Sequence, residues 1–208
     1  MLKVFYSPAS PFVRKVLVTA HETGQFDKVE KLPSAAHPIN RDMTIVARNP
    51  LGKVPTALAA DGTALFDSRV ICEYLDAQST CTKVFPAAGP QRWAALVQQS
   101  LGDGLIDAAL LARYETVVRP PEMQWKPWRD GQIAKIDSVL DQIEALAPQL
   151  GDAVTIGTIT LGCALAYLDF RFPDHGWRDG RSNAAQWFKV FGERPSMAAT
   201  YAHDAPAR

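Results

Sequence analysis

Tyr6-Ser7-Pro8-Ala9-Ser10-Pro11-Phe12-Val13-Arg14-Lys15-Val16 joins an apolar run, Leu2 to Tyr6, to an amphipathic run, Pro11 to Glu22. The first run alternates as a half-buried strand does. The second repeats Val13, Val16, Leu17 and Ala20 at helical spacing. Proline is best tolerated in the first turn of a helix, so Pro11 marks the first helical position and Ser10 the N-cap. The Ser10 hydroxyl then lies among unpaired backbone N–H groups and near roughly half a positive charge. A strand, a turn and a capped helix in this order are suited to holding an anion.

The rest of the composition narrows what that anion belongs to. The chain has 208 residues, 47% apolar and 21% charged, enough for one large domain or two small ones. Lys plus Arg and Asp plus Glu are 22 each, so no global field points to nucleic acid or an anionic membrane as partner. The N-terminal apolar run is broken by Ser7-Pro8 and Ser10-Pro11 and is too short for a signal peptide. The most apolar internal stretch, Ile156 to Leu168, is too short to span a bilayer. Together these predict a cytoplasmic protein. Cys72, Cys81 and Cys163 form no CxxC pair, and His21, His37, His175 and His203 are scattered, so no metal is expected. Cys72 and Cys163 lie within apolar helical patterns and read as buried, inert thiols.

Outward from the opening stretch, Gly24 stops the first helix, Asp27 to Leu32 reads as a second strand, and Arg41 to Ala47 as a short helix. In Asn49-Pro50-Leu51-Gly52-Lys53-Val54-Pro55-Thr56-Ala57-Leu58 a turn leads into a third strand opened by Val54-Pro55. Proline there cannot donate to the ladder. One use for it is a cis bond that turns the Val54 backbone toward a ligand. Asp61-Gly62 marks a hairpin, and Asp67-Ser68 starts a helix with Val70, Ile71, Tyr74 and Leu75 on one face. Residues 1–78 therefore read as strand, helix, strand, helix, strand, strand, helix, residues 79–89 as a linker, and residues 90–208 as helical throughout. Helices are expected over Gln91 to Val118, from Pro127 to Leu150, after Thr155-Ile156-Gly157-Thr158, from a Ser182 cap to Phe191, and from Arg194-Pro195-Ser196. Thr155 to Thr158 resembles a capping box, and the helix behind it is apolar nearly all round, as a buried centre should be. The tail from His203 reads as disordered.

This order, α/β followed by all-α, resembles the glutathione S-transferase superfamily over almost the whole chain. Ser7-Pro8-Ala9-Ser10-Pro11-Phe12 is similar to its active-site loop, Asn49 to Pro55 to its cis-proline motif, Phe66 to Leu75 to its glutamyl-binding helix, and Thr155 to Thr158 to its capping box. The flavour is that of a bacterial, serine-type member. The resemblance implies a thioredoxin-like N-terminal domain that binds glutathione and a helical domain that lines a pocket for a small apolar electrophile. It also implies detoxification-type conjugation, a homodimer, and no nucleic acid or membrane partner.

The residues suit that chemistry. Glutathione offers two carboxylates, an ammonium and a thiol. Helix-start N–H groups and the Ser68 hydroxyl fit the glutamyl carboxylate, and Asp67 fits the ammonium, although the family usually places a longer glutamate there. The Val54 backbone fits the cysteinyl part as an added strand, beside Pro55. Lys53 and, more weakly, His37 fit the glycyl carboxylate. Asp103, between Gly102 and Gly104, stands near where relatives reach the ammonium from across a dimer. Ser10 would stabilise the thiolate without being a nucleophile itself, with Ser7 as its rival and Tyr6 a third hydroxyl that reads as packed. Serine cannot form a mixed disulfide, which disfavours reductase chemistry. Arg14 and Lys15 read as solvated or structural, and Tyr114, Trp125, Tyr167 and Phe170 mostly as core aromatics. The alternative function is a glutathione-binding or protein-interaction domain with little turnover.

Overall fold

A computed structural model describes residues 1–204. The chain divides into two compact units, Met1–Ala87 together with the segment from Pro195 onward, and Ala88–Arg194.

The first unit is built on a mixed sheet. Strand β1 (Leu2–Tyr6), helix α1 (Pro11–Glu22) and strand β2 (Val29–Pro33) form a βαβ unit, with β1 and β2 parallel and Leu2 opposite Val29. Parallel strands need such a crossover, and α1 supplies it. A short helix α2 (Met43–Val46) follows, then β3 (Ala57–Leu58), β4 (Ala64–Leu65) and helix α3 (Ser68–Gln78). The sheet order is β2-β1-β3-β4, and β3 is antiparallel to both neighbours. Three boundaries differ from the sequence reading. A 3-10 turn at Phe26–Lys28 delays β2, α2 is a single turn, and β3 begins at Ala57 rather than Val54.

Helix α1 is buried on more than the face that its periodicity marks. Lys15 is fully buried and Arg14 nearly so, and the segment after Pro195 packs on α1 at Arg14. The Arg14 guanidinium donates to the Met197 carbonyl at 3.0 Å and lies 5.8 Å from the Tyr201 ring centre. Ser196 donates to Glu22 at 2.5 Å. The last helix, α8 (Pro195–Ala198), thus packs on α1 and leaves the helical unit, which ends at Arg194 and not at the C-terminus. The expected linker is also tied down. The buried Asp76 carboxylate accepts the N–H groups of Val84 at 2.6 Å and Phe85 at 3.0 Å. The expected disorder of the tail concerns in part residues 205–208, which lie outside the described residues.

The second unit consists of α4 (Gly89–Val117), α5 (Lys126–Leu150), α6 (Ile156–Arg171) and α7 (Ser182–Gly192). Every residue of α6 from Ile156 to Leu168 is buried, as its unbroken apolar pattern requires. Its start is a true capping box. Thr155 Oγ1 accepts the Thr158 N–H at 3.2 Å, and Thr158 Oγ1 accepts the Thr155 N–H at 2.9 Å. Thr155→Val keeps the shape and removes the acceptor. It is expected to cost about 1 kcal/mol, read as a lower denaturant midpoint at unchanged slope.

Two local readings give way to longer-range contacts. Ser182 does not cap α7. The helix-start N–H groups of Asn183 and Ala184 are received instead by the Glu144 carboxylate of α5, at 3.1 and 2.7 Å. Tyr167 is core as expected, but Trp125 is 63% exposed. What the fold uses at Trp125 is its backbone, whose N–H donates at 2.6 Å to the buried Glu115 carboxylate; Arg119 Nε donates to the same group at 2.9 Å. The Trp125 hydrogen bond, helped by Arg119, holds Glu115 below its usual pKa of 4.5. A depressed native value gives stability that is complete above about pH 4.5 and lost as pH falls through the native value. Glu115→Gln is therefore expected to flatten the acid limb of stability, measured as denaturant midpoints between about pH 6 and about pH 3.

Candidate functional site

Ser10 sits where strand β1 hands over to α1. Its backbone is extended (φ −82°, ψ 119°), Pro11 follows as the first helical residue, and its Oγ accepts the Val13 N–H at 3.2 Å. Accepting that bond uses a lone pair and leaves the hydroxyl proton to donate. The Ser10 N–H donates to the Ser7 carbonyl at 3.1 Å, so both serines belong to one closed turn, and both are half-buried. Tyr6 is the packed hydroxyl of the three. Lys31 Nζ lies 4.8 Å from its ring centre, and burial pushes its pKa up, away from use as an acid near neutrality.

The Val54–Pro55 bond is cis. Neither the N–H nor the C=O of Val54 is paired with another described residue, which leaves a short stretch of main chain open to an added strand. The surrounding loop is held from below by two residues that sequence reasoning passed over. Asn49 is buried and donates to Thr56 Oγ1 at 2.8 Å while accepting the Leu51 N–H at 3.0 Å; Thr56 donates to the Lys53 carbonyl at 2.8 Å. The signal was present in Asn49-Pro50-Leu51-Gly52, whose asparagine can form such a turn with its own backbone. Lys53 itself is exposed.

Asp67 caps α3. Its carboxylate accepts the Arg69 N–H at 2.9 Å and the Arg69 guanidinium at 2.8 and 3.2 Å. The Arg69 hydrogen bond is the main cause of a lowered Asp67 pKa, opposed by partial burial and helped by the charges of Arg69 and Lys15. Arg69 is thus a neighbour that any ammonium at Asp67 must share, and Lys15 is a buried cation within reach of the site. Sequence periodicity could not reveal Lys15, because it lies off the apolar stripe of α1. Ser68, the next residue, is buried at 2% exposure. His37 is exposed, and its Nδ1 accepts the N–H groups of Ile39 and Asn40 at 3.2 and 3.1 Å, which gives it a local structural task. Ser7, Ser10, His37, Lys53, Val54, Pro55, Asp67 and Ser68 all belong to the first unit, whereas Asp103 is buried in α4 of the second. Among the described residues no cluster of His, Cys, Asp or Glu could hold a metal ion, and no helix is long and apolar enough to cross a membrane.

Comparison with known proteins agrees with this geometry. Residues 9–78 match the model of the glutathione S-transferase N-terminal domain, and residues 126–189 that of the C-terminal domain. An uncharacterized GST-like protein of Escherichia coli strain K12, YibF, is 31% identical over 203 residues, 96% of this chain and 98% of its own. A glutathione transferase family member from Pseudomonas fluorescens Pf-5, solved with bound glutathione, superposes with a TM-score of 0.95 at 43% identity, covering 98% of this chain and all of its own. A glutathione S-transferase from Methylobacillus flagellatus, also with glutathione bound, gives 0.87 at 28% identity, with 98% of this chain and 100% of that one covered. With a capped turn between β1 and α1, a cis-proline loop and both family domains in one chain, this protein belongs to the glutathione S-transferase family.

Proposed function

We propose that the protein is a serine-type glutathione transferase that conjugates glutathione to a small apolar electrophile, with Ser10 holding the thiolate. The observation that carries this reading is the Ser10 hydroxyl. It caps α1 as an acceptor and keeps its proton for a ligand at the helix N-terminus. A free thiol has a pKa of about 8.5, so little of it is ionised at neutral pH. Each unit of depression is ~1.4 kcal/mol of preference for the thiolate. One donated hydrogen bond and the helix dipole can together supply about one to two units. The thiol proton leaves to solvent, and the Ser10 hydroxyl donates to the sulfur anion. The sulfur lone pair then forms a bond to the electrophilic carbon as a leaving group departs with its electron pair, or as an added double bond takes a proton from water.

The other assignments follow the same logic. The Val54 main chain receives the cysteinyl part, Lys53 and His37 the glycyl carboxylate, and the α3 start with Ser68 the glutamyl carboxylate. Asp67 receives the ammonium in competition with Arg69. Ser7, in the same turn, is the second hydroxyl within the loop. The helical unit supplies the electrophile pocket. A homodimer is supported by Trp93 and Val97, one turn apart on α4 and each 66% exposed.

The test is the ultraviolet absorbance of the thiolate in the glutathione complex as a function of pH, together with conjugation assays over a broad electrophile panel. A thiol that titrates as in free glutathione would remove Ser10 from its role. Tight glutathione binding with no conjugation of any electrophile would replace the enzyme by a binding module.

A further inference from the structure

Lys15, in the second turn of α1, is buried at 0% exposure. Lysine is almost never fully buried unless an anion answers its charge. The roles assigned above do not use it.

Two bearings fix where its ammonium lies. Nζ is 5.7 Å from the centre of the Phe12 ring. Phe12 is the second residue of α1, so the side chain runs back toward the helix start, as long helical side chains do. The Ser10 cap stands at that start. The other bearing is α3. Strand β3 is antiparallel to both β1 and β4, so β1 and β4 point the same way, and α1 and α3 each start at the end of the strand before it. The two helices touch where Thr19 Oγ1 donates to Cys72 Sγ at 3.4 Å. One turn back along both sets Lys15 level with Ser68, the first residue of α3. Its charge reaches the Asp67 cap, where it favours the ionised carboxylate.

The ammonium therefore stands between two helix starts. Each start carries roughly half a positive charge and unpaired N–H groups. The same two places receive glutathione's thiolate, at Ser10, and its glutamyl carboxylate, at Ser68, in the function proposed above. A cation held between them favours both anions, and more strongly than an exposed one because little water screens it. Neighbouring charges have other tasks. Asp67 and Arg69 offset one another at 2.8 Å, and Arg14 donates to the Met197 carbonyl at 3.0 Å.

We propose that Lys15 is a positioning residue of the glutathione site, its buried ammonium stabilising the thiolate and the glutamyl carboxylate through the starts of α1 and α3. This rests on the transferase reading and adds to Ser10 a second source of thiolate stabilisation.

The thiolate absorbance of bound glutathione is followed against pH in the native, Lys15→Met and Lys15→Arg proteins. Methionine keeps the apolar stem and loses the charge. The bound thiol pKa is expected to rise by about half to one unit, and glutathione to bind about three- to tenfold more weakly at neutral pH. Arginine keeps the charge and is expected to hold the thiol within about 0.3 units of its native value. The native protein supplies a third arm. Salt screens exposed cations such as Lys53, but not a buried one. The pKa difference between bound and free glutathione is therefore expected to persist from about 0.05 M to about 0.5 M salt. An unchanged thiol pKa in Lys15→Met, an equal rise in Lys15→Arg, or a depression that salt removes would each overturn the proposal. The salt arm needs no variant, so it stays decisive even where Lys15→Met folds poorly. A native thiol that titrates as in free glutathione would instead end the transferase reading, so the two failures are distinct.

Discussion

Ser10→Ala is expected to raise the thiol pKa of bound glutathione by about one to two units and to lower kcat/KM roughly 10- to 100-fold at neutral pH. The substitution removes two things at once, the hydroxyl proposed to hold the thiolate and the cap that accepts the Val13 N–H. The cap alone is worth about 1 kcal/mol of stability. Ser10→Asp separates the two. Aspartate caps a helix as well as serine does, so the thermal midpoint should return toward that of the native protein. Its carboxylate accepts but does not donate, and its charge repels a thiolate, so conjugation should fall at least as far as in the alanine variant. Ser7→Ala keeps the Ser7 carbonyl that accepts the Ser10 N–H, and therefore keeps the turn. A near-native rate in Ser7→Ala beside a large loss in Ser10→Ala would assign the thiolate to Ser10. The reverse pattern would move it three residues back.

Gly157→Ala is expected to be the most destabilising single-methyl change in the helical unit. A Cβ at position 157 would lie 2.8 Å from the Ala95 carbonyl oxygen and 2.7 Å from the Gln98 Cβ. The far end of the Gln98 side chain can swing away, but its Cβ and the Ala95 oxygen are fixed by the α4 backbone, so α4 and α6 must separate. Gly102 makes the matching approach from the other helix, with a Cβ there 3.0 Å from the Thr160 carbonyl carbon and 2.9 Å from its Cγ2. Overpacking of this kind costs about 1–3 kcal/mol, while alanine recovers at most ~1 kcal/mol of helix propensity. A net loss of about 2 kcal/mol should lower the thermal midpoint by about 4–8 °C in a chain of this size. Glutathione affinity at a temperature where the variant is folded should be unchanged. A Gly157→Ala variant as stable as the native protein would mean that α4 and α6 do not approach so closely.

Much of the fold and part of the candidate site are legible in the order of residues. The Ser10 cap with Pro11 behind it, the turn at Asp61-Gly62, the Asp67 cap of α3 and the Thr155–Thr158 box all occur where the sequence places them. The cis form of Val54–Pro55 follows from the family resemblance and is present. The departures share a different cause. Lys15 carries charge and sits off the apolar stripe, yet it is fully buried. Ser182 has the right side chain for a cap, but Glu144 of another helix takes the N–H groups. Trp125 is large and aromatic, yet it lies outside the core, and the fold holds only its backbone N–H, on Glu115. Arg69, which holds Asp67 from two residues away, was within reach of a sequence reading and was missed.

Short-range residue patterns were enough for the succession of strands and helices, the capped turn at Ser10 and the family. The caps, turns and helical faces among those features depend on residues two to four apart, a spacing that the order of residues displays directly. Long-range packing alone returns the segment after Pro195 to cover α1, through Arg14 to Met197 and Ser196 to Glu22, contacts spanning 183 and 174 residues. Pairing over such distances depends on which surfaces exclude water together, and that is a property of the assembled chain that no local pattern of residues encodes.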